Sequence, residues 1–299
     1  MKRNLIALFA AGAVCATSAL NAEIVLAEDL SLSGYIDLYA SGYDGPGDTS
    51  ETGLAEFETA FAFNTEPFSA LVELSYDGTD ASFEDAYVTY TVDDNLSFSA
   101  GNIFSYLGFE GQDAPDLYQF SYAYRDFTSI LPGWAVGAAM DYATDVYSFG
   151  IWVGDADDSD ISVEVAGSYS PVEGLTLFAG YANDPGYETI NFWVSYEYEG
   201  WTFAAEIADV DNDDMYSYDN TAYLFMANYA YENYGITFRY SVQEDEMSYD
   251  SSELEDWNLF TISPSYVFSD NLAGLCELSF IDDGGDMDYA WAFELVYTF

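Results

Sequence analysis

Acidic side chains are the residues of this chain best placed to do chemistry. Asp37, Glu56, Glu58, Glu73, Glu164, Glu197, Glu206, Glu277 and Glu294 each lie in a segment where apolar and polar residues alternate, and each takes a polar position. Arg239 does the same between Phe238 and Tyr240. Carboxylates so placed can pair as the acid and base of glycoside hydrolysis, hold hard divalent cations, or line a conduit and set its field. The chain has 54 Asp and Glu against 4 Lys and Arg, so no single pair of acids stands out as a catalytic dyad. It has no histidine, which excludes Ser-His and Cys-His relays and His-ligated metal sites. No enzymatic activity, cofactor or specific metal site is expected.

The acids outside those segments form runs: Asp155, Asp157, Asp158 and Asp160; Asp209, Asp211, Asp213 and Asp214; Asp282, Asp283 and Asp286. The second run begins like an EF-hand loop, but its sixth position is Asp214 rather than Gly and its twelfth Asn220 rather than Glu. Loose Ca²⁺ or Mg²⁺ binding at these loops is the expectation, on a surface suited to high salt, where screening relieves self-repulsion. A formal net charge of −50 excludes ordinary nucleic-acid binding.

Strict period-two alternation points to strands with one apolar and one polar face. In Leu30 to Tyr43, Leu32, Ile36 and Leu38 share one face, with Ser33, Tyr35, Asp37 and Tyr39 on the other. Thr189 to Tyr198 and Ile161 to Ser170 alternate as regularly. At the end, Phe299, Tyr297, Leu295, Phe293, Trp291 and Tyr289 fall on one face. No apolar run beyond the N-terminal segment is long enough for a membrane helix. Such segments, about ten residues long and separated by turn residues, are the signature of a transmembrane β-barrel with its apolar face toward lipid.

Short turns near 66, 94, 144, 173, 200, 233 and 270 alternate with more acidic connectors at 44–53, 77–81, 105–133, 155–160, 183–187, 210–218, 244–255 and 282–287. Seven turns and eight loops join sixteen antiparallel strands, and the even count puts both termini on one side, the periplasmic one in a bacterial outer membrane. A barrel of this size encloses a water-filled channel. Tyr118 to Phe127 is the one stretch that could add a strand. Residues 1–22 read as a signal peptide, with alternative cuts after Ala19 or Ala27, and residues 23–299 as the barrel. Cys15 sits in a poor lipoprotein context, and Cys276 reads as a small lipid-facing residue. Tyr76, Tyr90, Tyr142, Tyr198, Trp201, Tyr266 and Tyr297 lie at strand ends, as interface girdles require.

Residues 83–140 resemble the OmpL-like β-barrel porin family. The likeness rests on Ala86-Tyr87-Val88-Thr89-Tyr90, then Ser99-Ala100-Gly101-Asn102, then Leu107-Gly108-Phe109-Glu110-Gly111, Ala114-Pro115-Asp116-Leu117-Tyr118-Gln119-Phe120-Ser121, and Trp134-Ala135-Val136-Gly137-Ala138. The chain departs where the family often has Lys, at Asn102, and a basic residue, near Ala123. The resemblance implies passive diffusion of small solutes and brings no catalytic residues.

In trimeric porins a long third loop folds into the lumen. Residues 105–133 are expected to do so, with Glu110, Asp113, Asp116, Arg125 and Asp126 at the constriction. The inward acids and Arg239 are expected to line an electronegative, cation-preferring channel for small hydrophilic solutes. Phe299, Tyr297, Leu295 and Phe293 resemble the signal read by the barrel assembly machinery, and a homotrimer in outer-membrane lipid is the expected setting. Three other readings are open. One is an adhesive surface barrel with divalent-binding loops and a closed lumen. Another is a substrate-specific channel using inward Tyr35, Tyr39, Tyr87 and Trp193. The third is an anion site formed by Arg125 with Arg239.

Overall fold

A computed structural model describes residues 23–45, 49–125, 129–155, 160–212, 218–247, 256–285 and 287–299. The expected signal segment 1–22 with Cys15, Asp126, and the loop acids Asp157, Asp158, Asp213, Asp214 and Asp286 lie outside the described residues.

The strands are β1 (Ile24–Ala27), β2 (Leu30–Asp44), β3 (Thr49–Thr65), β4 (Phe68–Tyr76), β5 (Ala81–Thr91), β6 (Leu96–Phe104), β7 (Trp134–Ala143), β8 (Tyr147–Asp155), β9 (Ile161–Val172), β10 (Leu175–Asp184), β11 (Tyr187–Tyr198), β12 (Trp201–Asn212), β13 (Tyr218–Tyr231), β14 (Tyr234–Met247), β15 (Trp257–Ser269), β16 (Leu272–Asp282) and β17 (Asp288–Thr298). From β2 to β17 each strand pairs antiparallel with the next, and β17 returns to β2, from Tyr289 opposite Asp44 to Thr298 opposite Tyr35. This is a closed sixteen-stranded barrel, so every ladder is paired and no edge is left to aggregate. Tyr118 to Arg125, within the stretch that could have added a strand, carries none. The short β1 was not expected. It pairs with β2 at Leu30–Leu32, beyond the point where β17 ends, and so extends the closing seam.

The seven short connectors fall where expected, at the end of the barrel that also carries both described chain ends. The long loops at the other end are shorter than their composition suggests. Strands β3 and β14 run out to Thr49 and Met247, through residues read as loop. Acidic residues are compatible with strand wherever both faces meet water, so polarity alone misplaced these boundaries. The EF-hand-like reading also fails. Asp209 and Asp211 lie in β12, where Asp209 accepts a hydrogen bond from the Thr221 hydroxyl (2.8 Å). Extended backbone spreads successive ligands along a line instead of wrapping them around an ion.

Burial alternates as the pattern requires. In β11, Thr189, Asn191, Trp193 and Ser195 are buried, while Ile190, Phe192, Val194 and Tyr196 are exposed. On β17, Tyr289, Trp291, Phe293, Leu295 and Tyr297 face outward. Cys276 is exposed beside Leu278, as expected of a lipid-facing residue. This outward band of aliphatic and aromatic side chains on a closed barrel defines a transmembrane surface. Near the short turns, Tyr142 stacks with Tyr147 (6.0 Å), Trp201 meets Tyr229 at a tilt (4.7 Å) and Tyr234 meets Tyr266 edge-on (4.9 Å), forming an interfacial girdle.

The last residue is built into the seam. Phe299 and Gly34 exchange two backbone hydrogen bonds of 3.0 Å, and the Phe299 ring stacks on Phe57 (6.2 Å). A Cβ on Gly34 would stand 2.9 Å from that ring and 2.2 Å from the Glu58 carbonyl oxygen. Glycine is required here by close approach. Gly34→Leu is therefore expected to destabilise barrel closure by about 1–3 kcal/mol. A fall in the temperature at which the folded form unfolds on gels checks this, and an unchanged transition would refute it.

Candidate functional site

Residues 105–125 and 129–133, between β6 and β7, lie against the inner face of the wall. Ser105 donates its hydroxyl, and Tyr106 its backbone N–H, to Glu164 on β9 (3.1 and 3.0 Å). Gly108 N–H donates to Asn191 on β11 (3.1 Å) and Phe109 N–H to Glu206 on β12 (2.8 Å). The Tyr124 hydroxyl and the Asn191 amide also donate to Glu206 (2.7 and 2.8 Å). Ser121 N–H donates to Glu277 on β16 (2.9 Å), and Arg125 N–H to Gln243 on β14 (3.1 Å). A loop inside a barrel has backbone groups to satisfy without water, and the wall's carboxylates and amides accept them.

An ion pair holds the centre of this contact. Arg239 on β14 is 0% exposed and bonds Glu110 of the loop through Nη1 (3.1 Å). Nη1 also donates to the Ser121 carbonyl (2.7 Å), and Nη2 to the Tyr122 carbonyl (2.9 Å) and the Ser121 hydroxyl (2.7 Å), while Nε is buried without a partner. Gln119 donates to the same carboxylate (2.7 Å). Around this pair, Leu107, Phe109, Tyr124, Ile130 and Leu131 of the loop form an apolar core with Phe178, Trp193, Leu224 and Met226 of the wall. Trp193 stacks on Phe178 (4.9 Å) and meets Phe109 edge-on (5.7 Å), so it packs the loop and cannot offer its face to a sugar.

Several site expectations change accordingly. Glu164, Glu206, Arg239 and Glu277 face inward as predicted, but they anchor the loop rather than line the lumen. Glu110 is enclosed with Arg239 and does not stand at the constriction. Alternation says which face a residue takes; it does not say what covers that face. The anion site formed by Arg125 with Arg239 is also overturned, because the Arg239 guanidinium is engaged by the loop while Arg125 is exposed. Glu197 has inward parity but sits exposed at the short-turn end, outside the lumen proper.

The remaining predicted acids gather on the other side of the loop. Asp37, Glu56, Glu58, Glu73 and Glu294 occupy the inner face of β2–β4 and β17. Two bulges add acids that simple parity misses. Asp37 pairs with Glu56 but Leu38 with Leu54, leaving Ala55 unpaired; beyond that point Glu51 turns inward and accepts from the Tyr39 hydroxyl (3.3 Å). Opposite Glu73, Val72 pairs with Ala86 and Leu74 with Phe83, so consecutive Glu84 and Asp85 both face inward. Asn102, in a motif of the noted resemblance, donates its amide to the Glu84 carbonyl (2.5 Å) and braces this bulge. Asp85 accepts from Phe104 N–H (3.0 Å), at the start of the loop.

Facing these strands, the loop presents Asp113, at the foot of a 3-10 turn over Ala114–Asp116, and exposed Asp116. Burial, followed by the charges of Asp116, Glu73, Glu84 and Glu56, holds the Asp113 carboxyl well above the usual carboxylate range. Glu56, Glu73, Glu84, Asp85 and Asp113 are partly exposed to the lumen. Carboxylates thus stand on both the loop and the wall that it faces. Among inward aromatics, Tyr35 donates to Glu56 (2.5 Å) and Tyr39 stacks on Phe120 (5.6 Å); both serve packing and acid positioning.

No protein family matches this chain, and no curated protein does. Solved structures do match it. OmpF of Salmonella typhi, in complex with daunomycin, superposes with a TM-score of 0.72 at 13% identity, over 93% of this chain and 100% of that one. Outer-membrane expressed OmpT of Vibrio cholerae gives 0.70 at 12% identity, over 93% and 100%. An anion-selective porin from Comamonas acidovorans gives 0.65 at 12% identity, over 90% and 99%. The chain therefore has the outer-membrane porin fold.

Removing one member of an enclosed ion pair strands the other, at a cost of about 3–5 kcal/mol. Arg239→Gln is expected to loosen the loop by that order, seen as faster hydrogen exchange at the Phe109 and Ser121 amides. The double change Glu110→Gln with Arg239→Met should restore much of the protection. Unchanged exchange in the single variant would show that the pair does not hold the loop.

Proposed function

We propose that this chain is an outer-membrane porin, a water-filled channel through which small hydrophilic solutes diffuse passively and cations pass in preference to anions. One observation carries the reading: acids line both the loop and the facing wall, while the one cation near the lumen's centre, Arg239, is neutralised beneath the loop. Fixed charge of one sign in a narrow, low-dielectric passage concentrates counter-ions and repels co-ions. The loop 105–133 is the constriction, with Asp113 and Asp116 on it and Glu56, Glu58, Glu73, Glu84 and Asp85 across from it. The OmpL-like resemblance of residues 83–140, with its implied passive diffusion, supports the same reading.

The short turns and both termini lie on the periplasmic side in this proposal, where Phe299 and its aromatic partners would meet the assembly machinery. Cleavage after Ala22 would keep β1 on the closing seam, whereas cleavage after Ala27 would remove it. Vibrio cholerae OmpT is described in a trimer form; a homotrimer is proposed here on the strength of the shared fold.

Planar-bilayer recordings in a KCl gradient test the proposal. A reversal potential on the cation side is expected, and cation preference should strengthen as pH rises. Asp113 is neutral when protonated and negative above its raised pKa, so its contribution should appear above pH 4, where ordinary carboxylates titrate (about 4). Asp113→Asn should remove that late rise and leave the rest. Anion selectivity would overturn the charge argument, and absence of conductance would favour a surface barrel with a closed lumen.

A further inference from the structure

The acids between loop and wall are not equivalent. Glu56 has both oxygens engaged, by the Tyr35 hydroxyl (2.5 Å) and by the Ser75 hydroxyl. Glu58 is 6% exposed, and its Oε2 is buried with no hydrogen-bond partner; Oε2 of Glu84 is buried and unpartnered too. One ligand oxygen from each of Glu56, Glu58 and Glu84 lies within 4.8 Å of the others. Two like charges 4 Å apart repel by about 4 kcal/mol even at an effective dielectric constant of 20. Three carboxylates in that space cannot all stay charged unless a cation sits among them, and no described Lys or Arg stands there. Glu164, Glu206 and Glu277 accept from loop N–H and hydroxyl groups, whereas among the described residues Glu58 and Glu84 each keep a buried oxygen without a donor in a cluster of three carboxylates.

We propose that Glu56, Glu58 and Glu84 bind one Ca²⁺ ion on the lumen wall, beside the Asp113 segment of the loop. The donor set is all oxygen and all carboxylate, which selects hard cations over Zn²⁺ or copper. Ca²⁺ bonds oxygen at about 2.3–2.6 Å, so opposite ligands on one ion stand up to about 5 Å apart, a span that covers this cluster; Mg²⁺ at about 2.0–2.1 Å draws its ligands closer and keeps more of its water. The Tyr35 and Ser75 hydroxyls hold Glu56 in orientation, and the β5 bulge, braced by Asn102, delivers Glu84 to the other two. An ion at this position neutralises part of the acidic wall inside the channel, so external Ca²⁺ would set how strongly the pore favours monovalent cations. That electrical consequence rests on the channel reading above, whereas the binding does not.

The test uses the full chain in detergent, stripped with EGTA and titrated calorimetrically with CaCl₂ and then MgCl₂. One saturable Ca²⁺ site per chain is expected, tighter than for Mg²⁺. Glu58→Gln or Glu84→Gln should weaken it by about tenfold or more, since affinity follows ligand charge, and the double variant should abolish it. Glu84→Asp keeps the charge but shortens the reach, and should weaken binding less. Asp282→Asn with Asp283→Asn, in an external loop, should leave it intact. Equal Ca²⁺ uptake by wild type and the Glu58→Gln, Glu84→Gln double variant overturns the proposal, as does absence of saturable uptake in wild type. K⁺ conductance measured in EGTA separates the two claims. Its absence would refute the channel while leaving the calorimetric result standing.

Discussion

Arg239 is enclosed at the heart of a barrel that holds 54 acids, and a buried guanidinium is tolerable only where protein groups replace its water. The loop supplies them: one carboxylate, two carbonyls and a hydroxyl, all from Glu110, Ser121 and Tyr122. The contact works in both directions. Without the loop, the cation would sit on a wall of acids in water. Without the cation, Glu110 would enter an apolar core unpaired. The ion pair therefore sits at the centre of the contacts that fix the described part of the 105–133 segment against β9, β11, β12, β14 and β16.

That division sorts the inward carboxylates into two kinds. Glu164, Glu206 and Glu277 accept N–H and hydroxyl donors from the loop, and they serve as its docking points. Their charge is directed at backbone dipoles and screened from solutes by the loop itself. The acids of β2–β5 receive no such docking; Glu56, Glu73, Glu84 and Asp85 are partly exposed, Asp37 and Glu58 are buried among them, and Asp113 and Asp116 stand across from this group. In the proposed channel this smaller group, and not the net charge of the chain, would set the electrostatics.

The barrel was legible in the sequence because lipid imposes a hard rule on every second residue, and sixteen segments obeyed it. Strand count, the facing of β11 and β17, the seven short turns and the location of the long loop followed from that rule. Other features have no period to betray them. The bulges at Ala55 and at Glu84-Asp85 leave the composition unchanged and break parity, so Glu51 and Glu84 looked unremarkable. The partnership of Glu110 with Arg239 joins residues that no local pattern connects. The one cation in an inward position surrounded by acids was a usable signal for it, because such a charge must find a partner.

Bulges also remove a limit on charge density that a regular barrel imposes. Along one face of a strand, side chains recur at about 6.8 Å, and directly opposed residues on neighbouring strands are about 4.5–5.5 Å apart. Alternation then allows one inward acid for every outward apolar residue, and no more. Inserting one residue in β5 turns two consecutive acids inward without turning an acid toward lipid, and inserting one in β3 preserves Leu54 on the lipid face while Glu51 and Glu56 both face in. The wall thereby brings one carboxylate oxygen from each of Glu56, Glu58 and Glu84 within 4.8 Å of the others. The irregularity in β5 is what lets a lipid-compatible exterior bring Glu84 to Glu56 and Glu58, while the one in β3 adds Glu51 to the inward face.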